Sequence, residues 1–139
     1  MGLKPAQLLA TPGPDEWSAN EVLGHLRACA DVWGECIMTI LAEDKPTIRA
    51  VNPRTWIEST DYVDQAFRPS LQAFASQRAH LMTVLGPLAP ASWARAATVT
   101  GAGNALTRTV LVYGQRMARH ERPHVTQIRR IAESLQRKR

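Results

Sequence analysis

The sequence predicts an all-α fold, a helical bundle with a short or truncated first helix. Apolar residues recur at intervals of three and four in three long segments, which is the spacing of one helix face. No segment alternates apolar and polar residues as a half-buried strand does. The predicted elements are a short helical segment around residues 4–10, followed by three long helices.

The first long helix has a recognisable start and end. Ser18 followed by Glu21 fits a capping box, in which each side chain bonds the other residue's backbone amide. The apolar stripe then continues to about Ala42, and residues 43–46, which include a proline, end the helix. One face of this helix is predicted to carry His25, Cys29 and Cys36.

The middle of the chain is predicted to be a long loop followed by the second long helix. Residues 43–60 contain two prolines and no steady apolar period. Loops of this length in small domains tend to be functional. The second helix is expected to begin between residues 61 and 69 and to end at Gly86-Pro87.

Arg78 lies in the middle of the apolar stripe of this second helix. A buried guanidinium is costly unless it is paired, so we expect Arg78 to contact a carboxylate or a substrate anion. Asp31 and Glu35 are the candidate partners. His80 falls off the stripe and is expected to face solvent.

The last long helix is predicted for residues 105–136. Residues 87–104 contain two prolines and two glycines and are interpreted as a connection, with Asn104 as the helix N-cap. Pro123 lies within this helix, where its ring removes an amide donor and is expected to kink the backbone.

Three histidines suggest a metal site. His120 and His124 are four residues apart, so their Cβ atoms should lie roughly 5–6 Å apart on one helix face that is otherwise apolar. His25 lies on the apolar face of another helix. Facing helices of a bundle can build metal sites from such side chains.

The chemistry of three imidazoles narrows the choice of ion. Nitrogen ligation suits zinc, nickel, iron, cobalt or copper better than magnesium or calcium. We expect zinc or nickel, with iron, cobalt or copper as alternatives. Three neutral ligands leave coordination positions open, as in catalytic sites. The alternative interpretation is that the histidines are hydrogen-bonded core residues without a metal.

His120, Glu121 and His124 also match the HExxH motif of zinc proteases, in which the glutamate is the general base. Pro123 lies inside the motif, and only fifteen residues follow His124, none of them a further ligand. No mixed sheet is predicted to support a substrate strand. The sequence therefore argues against a protease of this class.

Two further residues could act at the centre. Cys29, one turn after His25, is a candidate fourth ligand or redox group, or else a small core residue like Cys36. The two cysteines are too far apart on one helix to pair directly. Gln127, one turn after His124, could orient a ligand or bound water, or could be a surface residue.

Composition and charge limit the other possibilities. The 139 residues have the length of about one domain, so residues 1–139 are expected to form a single domain. No apolar run reaches the roughly 18 residues of a membrane span, and the N-terminus lacks an apolar signal core. A cytoplasmic protein without membrane contact is therefore expected.

Positive charge is concentrated at the C-terminal end. Residues 108–139 carry a net charge of +7, whereas residues 1–107 carry −2. A rival hypothesis is thus a non-enzymatic helical dimer module whose basic last helix binds an acidic partner. Nucleic acid is not an expected partner, because zinc-finger spacing, an RNP phrase and a series of stacking aromatics are all missing from the sequence.

Three phrases of the sequence together resemble the DinB-like superfamily, also called DinB/YfiT. They are Trp17-Ser18, the phrase that ends in Val22-Leu23-Gly24-His25-Leu26, and His120-Glu121-Arg122-Pro123-His124-Val125-Thr126-Gln127-Ile128. The resemblance covers about residues 14–135. It implies a DinB/YfiT-like four-helix bundle, often dimeric, with a three-histidine divalent metal site, here His25, His120 and His124. A full first helix would normally precede the Trp17-Ser18 phrase, so a second subunit is the expected cover for the gap, giving a homodimer.

The resemblance also implies a class of reaction. Relatives include thiol-dependent isomerases and S-transferases, so the leading hypothesis is an enzyme whose ion activates a low-molecular-weight thiol for attack on a small electrophilic substrate. The alternative is activation of water, which gives a metal-dependent hydrolase. The residues proposed for substrate positioning are Arg49, Arg54, Trp56 and Arg78.

Overall fold

Three long helices and one short helix form the body of the protein. The computed structural model describes residues 4–13 and 16–137. The expectations for residues 1–3 and for Lys138 and Arg139 fall outside these residues. The helices of the bundle are α1 (Pro5–Leu9), α2 (Ala19–Ala42), α4 (Phe67–Leu85) and α6 (Val110–Arg137). They match the predicted bundle with a short first helix. In the described residues, no helix has the length and apolar character needed to cross a membrane.

Local sequence explains where α2 begins. The Ser18 hydroxyl accepts a hydrogen bond from the Glu21 amide, and the Glu21 carboxylate accepts one from the Ser18 amide. This is the predicted capping box. α6, in contrast, continues through Pro123, so the proline does not end the helix.

The structure contains a small three-stranded sheet that was not predicted from the sequence. β1 (Thr47–Arg49) pairs in parallel with β2 (Ala96–Thr100), which pairs in antiparallel fashion with β3 (Leu106–Thr109). Strands of three to five residues are too short to show a clear alternation. The expectation that no strand is present was therefore wrong.

The start of the last helix was also predicted wrongly. Asn104 was expected to cap a helix from residue 105, but it lies in the turn between β2 and β3, and α6 begins at Val110. Gly101 and Gly103 have positive φ angles of 87° and 83°, which most other residues adopt at a steric cost. The strand pairing beyond this turn extends the chain through Thr109.

Short elements fill the connections that were predicted to be loops. They are α3 (Pro53–Trp56), single 3-10 turns at Ile57–Ser59 and Tyr62–Asp64, and α5 (Pro90–Trp93). The buried Asn20 amide of α2 donates to the carbonyl oxygens of Val63 and Gln65 at 2.6 and 3.0 Å. These bonds hold the connection between α3 and α4 against the N-terminal half of α2.

Two apolar clusters lie at opposite ends of the α2–α6 pair. We call the first the Tyr113 cluster, and its buried members are Ala30, Ile37, Ile40, Leu81, Leu85, Ala97, Val110, Tyr113 and Met117. The second is the Leu23 cluster, and its buried members are Leu8, Ala19, Val22, Leu23, Phe67, Ile131 and Ala132. The start of α2 thus packs with the end of α6, so the two helices run antiparallel. The residues between the clusters, His25 on α2 and His120 and His124 on α6, form a histidine layer.

Candidate metal centre

The rings of the three histidines lie together in the histidine layer. The Nε2 atoms of His25 and His120 are 3.0 Å apart. The ring centroid of His124 lies 5.0 Å from that of His25 and 4.5 Å from that of His120. His25 is 95 residues away from His120 in the chain, yet the two imidazoles and that of His124 lie in one small region.

Cys29 is part of the same cluster. Its Sγ lies 3.7 Å from His25 Nε2 and 4.0 Å from His120 Nε2. Among the described residues, one group of potential metal-binding atoms lies within 4.8 Å of one another, and its members are His25, Cys29 and His120. His124 adjoins this group through its ring without being a member of it.

Burial determines the protonation of these side chains in the metal-free protein. Burial, together with smaller contributions from the charges of His120, His124 and Arg54, lowers the pKa of His25 from 6.5 to about 4. Burial likewise lowers the pKa of His120. Burial raises the pKa of the Cys29 thiol to about 12, against the opposing effect of the Arg54 charge. At neutral pH the imidazoles of His25 and His120 are therefore uncharged, which is the form that binds metals.

Gln127 fixes the orientation of His124. The Gln127 Oε1 and the His124 Nδ1 are 2.9 Å apart. Because an amide oxygen only accepts, this contact places a proton on His124 Nδ1, and the neutral form of the ring then has its lone pair on Nε2. Metal-binding histidines commonly donate their second nitrogen in this way. In the described part of the chain, the buried Nδ1 of His120 has no such acceptor.

Two indole rings flank the histidines, and the sequence did not identify either as part of the site. The Trp17 ring meets His25 edge-on at 5.2 Å and stacks on His124 at 6.4 Å. The Trp33 ring meets His120 edge-on at 5.0 Å. A signal for Trp33 was present, since it follows His25 and Cys29 at steps of four on α2.

Arg78 is paired, but not with the partners expected. Its guanidinium forms a two-pronged ion pair with Glu121, instead of with Asp31 or Glu35. The Asp31 carboxylate instead accepts hydrogen bonds from Trp56, Tyr62 and Gln77. The sequence placed α4 beside α2 but could not show that α6 also offers a carboxylate to this side chain. Because the ion pair occupies Glu121, that residue is not free to act as the general base of an HExxH protease.

The arginines of the long connection lie in two different places. The Arg54 guanidinium lies 5.8 Å from the Trp17 ring, and its charge acts on both His25 and Cys29. Arg49 and Trp56, in contrast, line a cavity of about 590 Å³ whose wall includes His80 but not His25, His120 or His124. Of the proposed positioning residues on this connection, Arg54 is the one beside the histidine layer.

A second cavity gives access to the histidine layer. It has a volume of about 670 Å³ and includes His124 and Gln127 in its wall, together with Trp17. Its other lining residues are Pro12, Glu16, Arg130, Ile131, Glu133, Ser134 and Arg137. The wall therefore combines the ring of His124 with two arginines and two glutamates.

Comparison with known proteins assigns the bundle to a class. The family model of the DinB superfamily matches residues 1–128, so the chain belongs to that superfamily, as its motifs predicted. Among solved structures it is similar to YfiT from Bacillus subtilis, described as a probable metal-dependent hydrolase with an unusual four-helix bundle topology. The TM-score is 0.78 at 18% sequence identity, covering 94% of this chain and 74% of that chain. This likeness shows a shared four-helix bundle fold. The search of curated proteins found no match.

Proposed function

We propose that this protein is a metal-dependent enzyme in which His25, His120 and His124 bind one divalent ion, zinc or nickel. The observation that carries the proposal is the pair of facing Nε2 atoms, 3.0 Å apart, in a layer between two apolar clusters. A shared ion would satisfy both nitrogens at once. The fold shared with YfiT, a probable metal-dependent hydrolase, supports the same proposal.

The residues present fit such an ion. Two of the imidazoles are uncharged because of burial, and Gln127 leaves His124 Nε2 free to bind. A bound divalent ion supplies Lewis acidity, which lowers the pKa of a water or thiol that it coordinates. Trp17 and Trp33 pack against the histidine rings, and the cavity beside His124 provides room for a substrate.

For the reaction, we propose transfer of a low-molecular-weight thiol to a small electrophile. Small thiols such as cysteine carry both a carboxylate and an amino group, and the cavity wall offers Arg130 and Arg137 for the first and Glu16 and Glu133 for the second. The test supplies cysteine or another small thiol with chlorodinitrobenzene and follows thioether formation. We expect turnover that needs the metal and is lost when His25 and His120 are both replaced by alanine. Metal-loaded protein that does not accelerate the reaction with any small thiol would contradict this part of the proposal.

Hydrolysis is the second candidate, and the description of YfiT favours it. In that case water would replace the thiol as nucleophile, and activated esters or amides would be cleaved without any thiol present. The same protein preparation distinguishes the two reactions. Cleavage of nitrophenyl esters that is independent of added thiol would support hydrolysis over transfer.

The metal itself is tested by elemental analysis of untagged protein. We expect about one equivalent of a transition metal in the wild type and none in the double variant His25→Ala, His120→Ala. The matched control is His80→Ala, because His80 is exposed on α4 and should leave the metal content unchanged. Equal metal content in all three proteins would overturn the proposal.

The homodimer remains a prediction that we carry forward. A groove between α4 and α6 is lined by apolar side chains that include Met82 and Val125, which are 55% and 46% exposed. Exposed apolar surface of this kind often marks an interface. We expect Val125→Glu to convert a dimer into a monomer, as measured by light scattering.

A further inference from the structure

We propose that the Cys29 thiolate is a fourth ligand of the metal, so that the resting centre has three imidazoles and one sulfur. This inference rests on the proposed metal centre and adds a donor that the three-histidine pattern does not contain. A thiolate donor also favours zinc over harder ions such as magnesium or calcium.

Distances between the donor atoms carry the inference. Around a tetrahedral zinc with bonds of roughly 2.0–2.1 Å to nitrogen and about 2.3 Å to sulfur, two nitrogens lie about 3.4 Å apart and a nitrogen and a sulfur about 3.6 Å apart. The two Nε2 atoms are 3.0 Å apart, and Cys29 Sγ lies 3.7 and 4.0 Å from them. The separations themselves differ from these values by a few tenths of an ångström. Because Sγ also lies 3.9 Å from His25 Nδ1, it sits beside the ring, and a rotation of the Cys29 or His25 side chain would bring it to the lone-pair side of Nε2.

The charges around the centre support a thiolate. Three imidazoles leave both positive charges of the ion uncancelled in a buried layer, which is unfavourable. Among the described residues, the group that includes Cys29 contains no carboxylate. Glu121, whose charge reaches both Cys29 and His120, is held in the ion pair with Arg78. The Cys29 sulfur is thus the anionic donor that this group offers.

The position of Cys29 on α2 differs from that of Cys36. Cys29 follows His25 by four residues, so both side chains point towards α6 at the same level. Cys36 lies about two turns further on, where it packs against the Tyr113 cluster and bonds to Tyr113. Both cysteines are free thiols, and they are the only two in the sequence. Cys36 therefore provides a matched control.

Four protein ligands would fill a tetrahedral shell, as in closed zinc sites. A nucleophile would then have to enter as a fifth ligand or take the place of Cys29. If a small thiol took that place, its proton would pass to Cys29 Sγ, so that Cys29 would leave as a neutral thiol and the exchange would balance. Cys29 would thereby keep the ion coordinated in the absence of substrate.

The test is absorption spectroscopy of the full chain loaded with cobalt(II). A thiolate ligand gives an intense near-ultraviolet charge-transfer band, whereas imidazole ligands alone give only weak visible bands. We expect the intense band in the wild type and in Cys36→Ser. In Cys29→Ser we expect it to be lost while cobalt still binds with at least tenfold weaker affinity.

The possible outcomes distinguish failure of the Cys29 ligand from failure of the metal centre. Visible cobalt bands without a charge-transfer band in the wild type would overturn the Cys29 ligand and leave the three-histidine centre standing. A band that disappears in Cys36→Ser would also overturn it. Absence of any cobalt spectrum would overturn the metal centre and this inference together. If Cys29→Ser does not fold, a band in Cys36→Ser still assigns the sulfur to Cys29, because no other cysteine remains.

Discussion

The Tyr113 cluster and the histidine layer are built from the same two helices, yet they have opposite effects on stability. In the Tyr113 cluster, side chains such as Ile37 and Val110 are 0% exposed and gain from the removal of apolar surface from water. In the histidine layer, burial disfavours the charged form of His25 and leaves His120 Nδ1 without an acceptor among the described residues. The comparison indicates that the clusters stabilise the fold, while the layer retains polar groups that a binding site needs.

The largest expected effect comes from truncation in the Tyr113 cluster. Ile37→Ala removes a fully buried side chain, and we expect the free energy of unfolding to fall by about 2–5 kcal/mol. His25→Ala in metal-free protein should lower it by much less, because it also removes a poorly solvated imidazole. Urea unfolding followed by circular dichroism measures both. An equal loss in the two variants would contradict the contrast between the two regions.

Acid should destabilise the metal-free protein through His25. Its pKa is about 4 in the fold and 6.5 when unperturbed, so between these values the unfolded chain binds more protons. The contribution of His25 to the free energy of unfolding is therefore fully present above about pH 6.5 and is lost as the pH falls towards 4. At about 1.4 kcal/mol for each pKa unit, the loss is on the order of 3 kcal/mol.

Two histidine variants test whether the loss of stability in acid comes from His25. In His25→Ala the decline of unfolding free energy between pH 6.5 and 4 should become shallower, whereas in His80→Ala, an exposed histidine, it should persist. Urea titrations at several pH values provide the comparison. A pH profile of His25→Ala that is identical to that of the wild type would remove the histidine layer as the cause.

A smaller effect is expected from the residue that orients His124. Gln127→Ala removes the acceptor for His124 Nδ1, and loss of such a contact typically weakens metal binding by about 10–100-fold. Gln115→Ala, on an exposed position of the same helix, is the control and should bind as the wild type does. Competition with a chromogenic chelator gives both affinities. Unchanged affinity in Gln127→Ala would show that this hydrogen bond does not support the centre.

The helical elements could be predicted from the sequence because their signals are local. The capping box at Ser18 and the apolar period of α2 depend on neighbours within a turn or two, so they predicted the bounds of α2 closely. The sheet could not be predicted in this way, because β1 and β2 pair residues about fifty positions apart. Asn104 was misassigned for the same reason, since the pairing of β3 determines where α6 begins.

In the candidate site, too, the features set by neighbours on one helix could be predicted from the sequence, and those set by contacts between helices could not. The spacing of His120 and His124 indicated a shared face, and Gln127 was expected beside His124 because it is one turn further on. The ion pair of Arg78 with Glu121 and the flanking of the histidines by Trp17 depend on how separate helices dock. These contacts carry no periodic signal, so the sequence indicated the need for a partner at Arg78 but not its identity.

The proposed enzyme needs an ion held by the histidine layer, and anomalous X-ray scattering from crystals of untagged protein grown without chelator tests for that ion most directly. We predict an anomalous peak at the absorption edge of zinc or nickel, roughly 2.0–2.1 Å from nitrogens of His25, His120 and His124. A map without a peak there, with His25 Nε2 and His120 Nε2 hydrogen-bonded to each other in metal-supplemented crystals, would contradict the proposed metal centre.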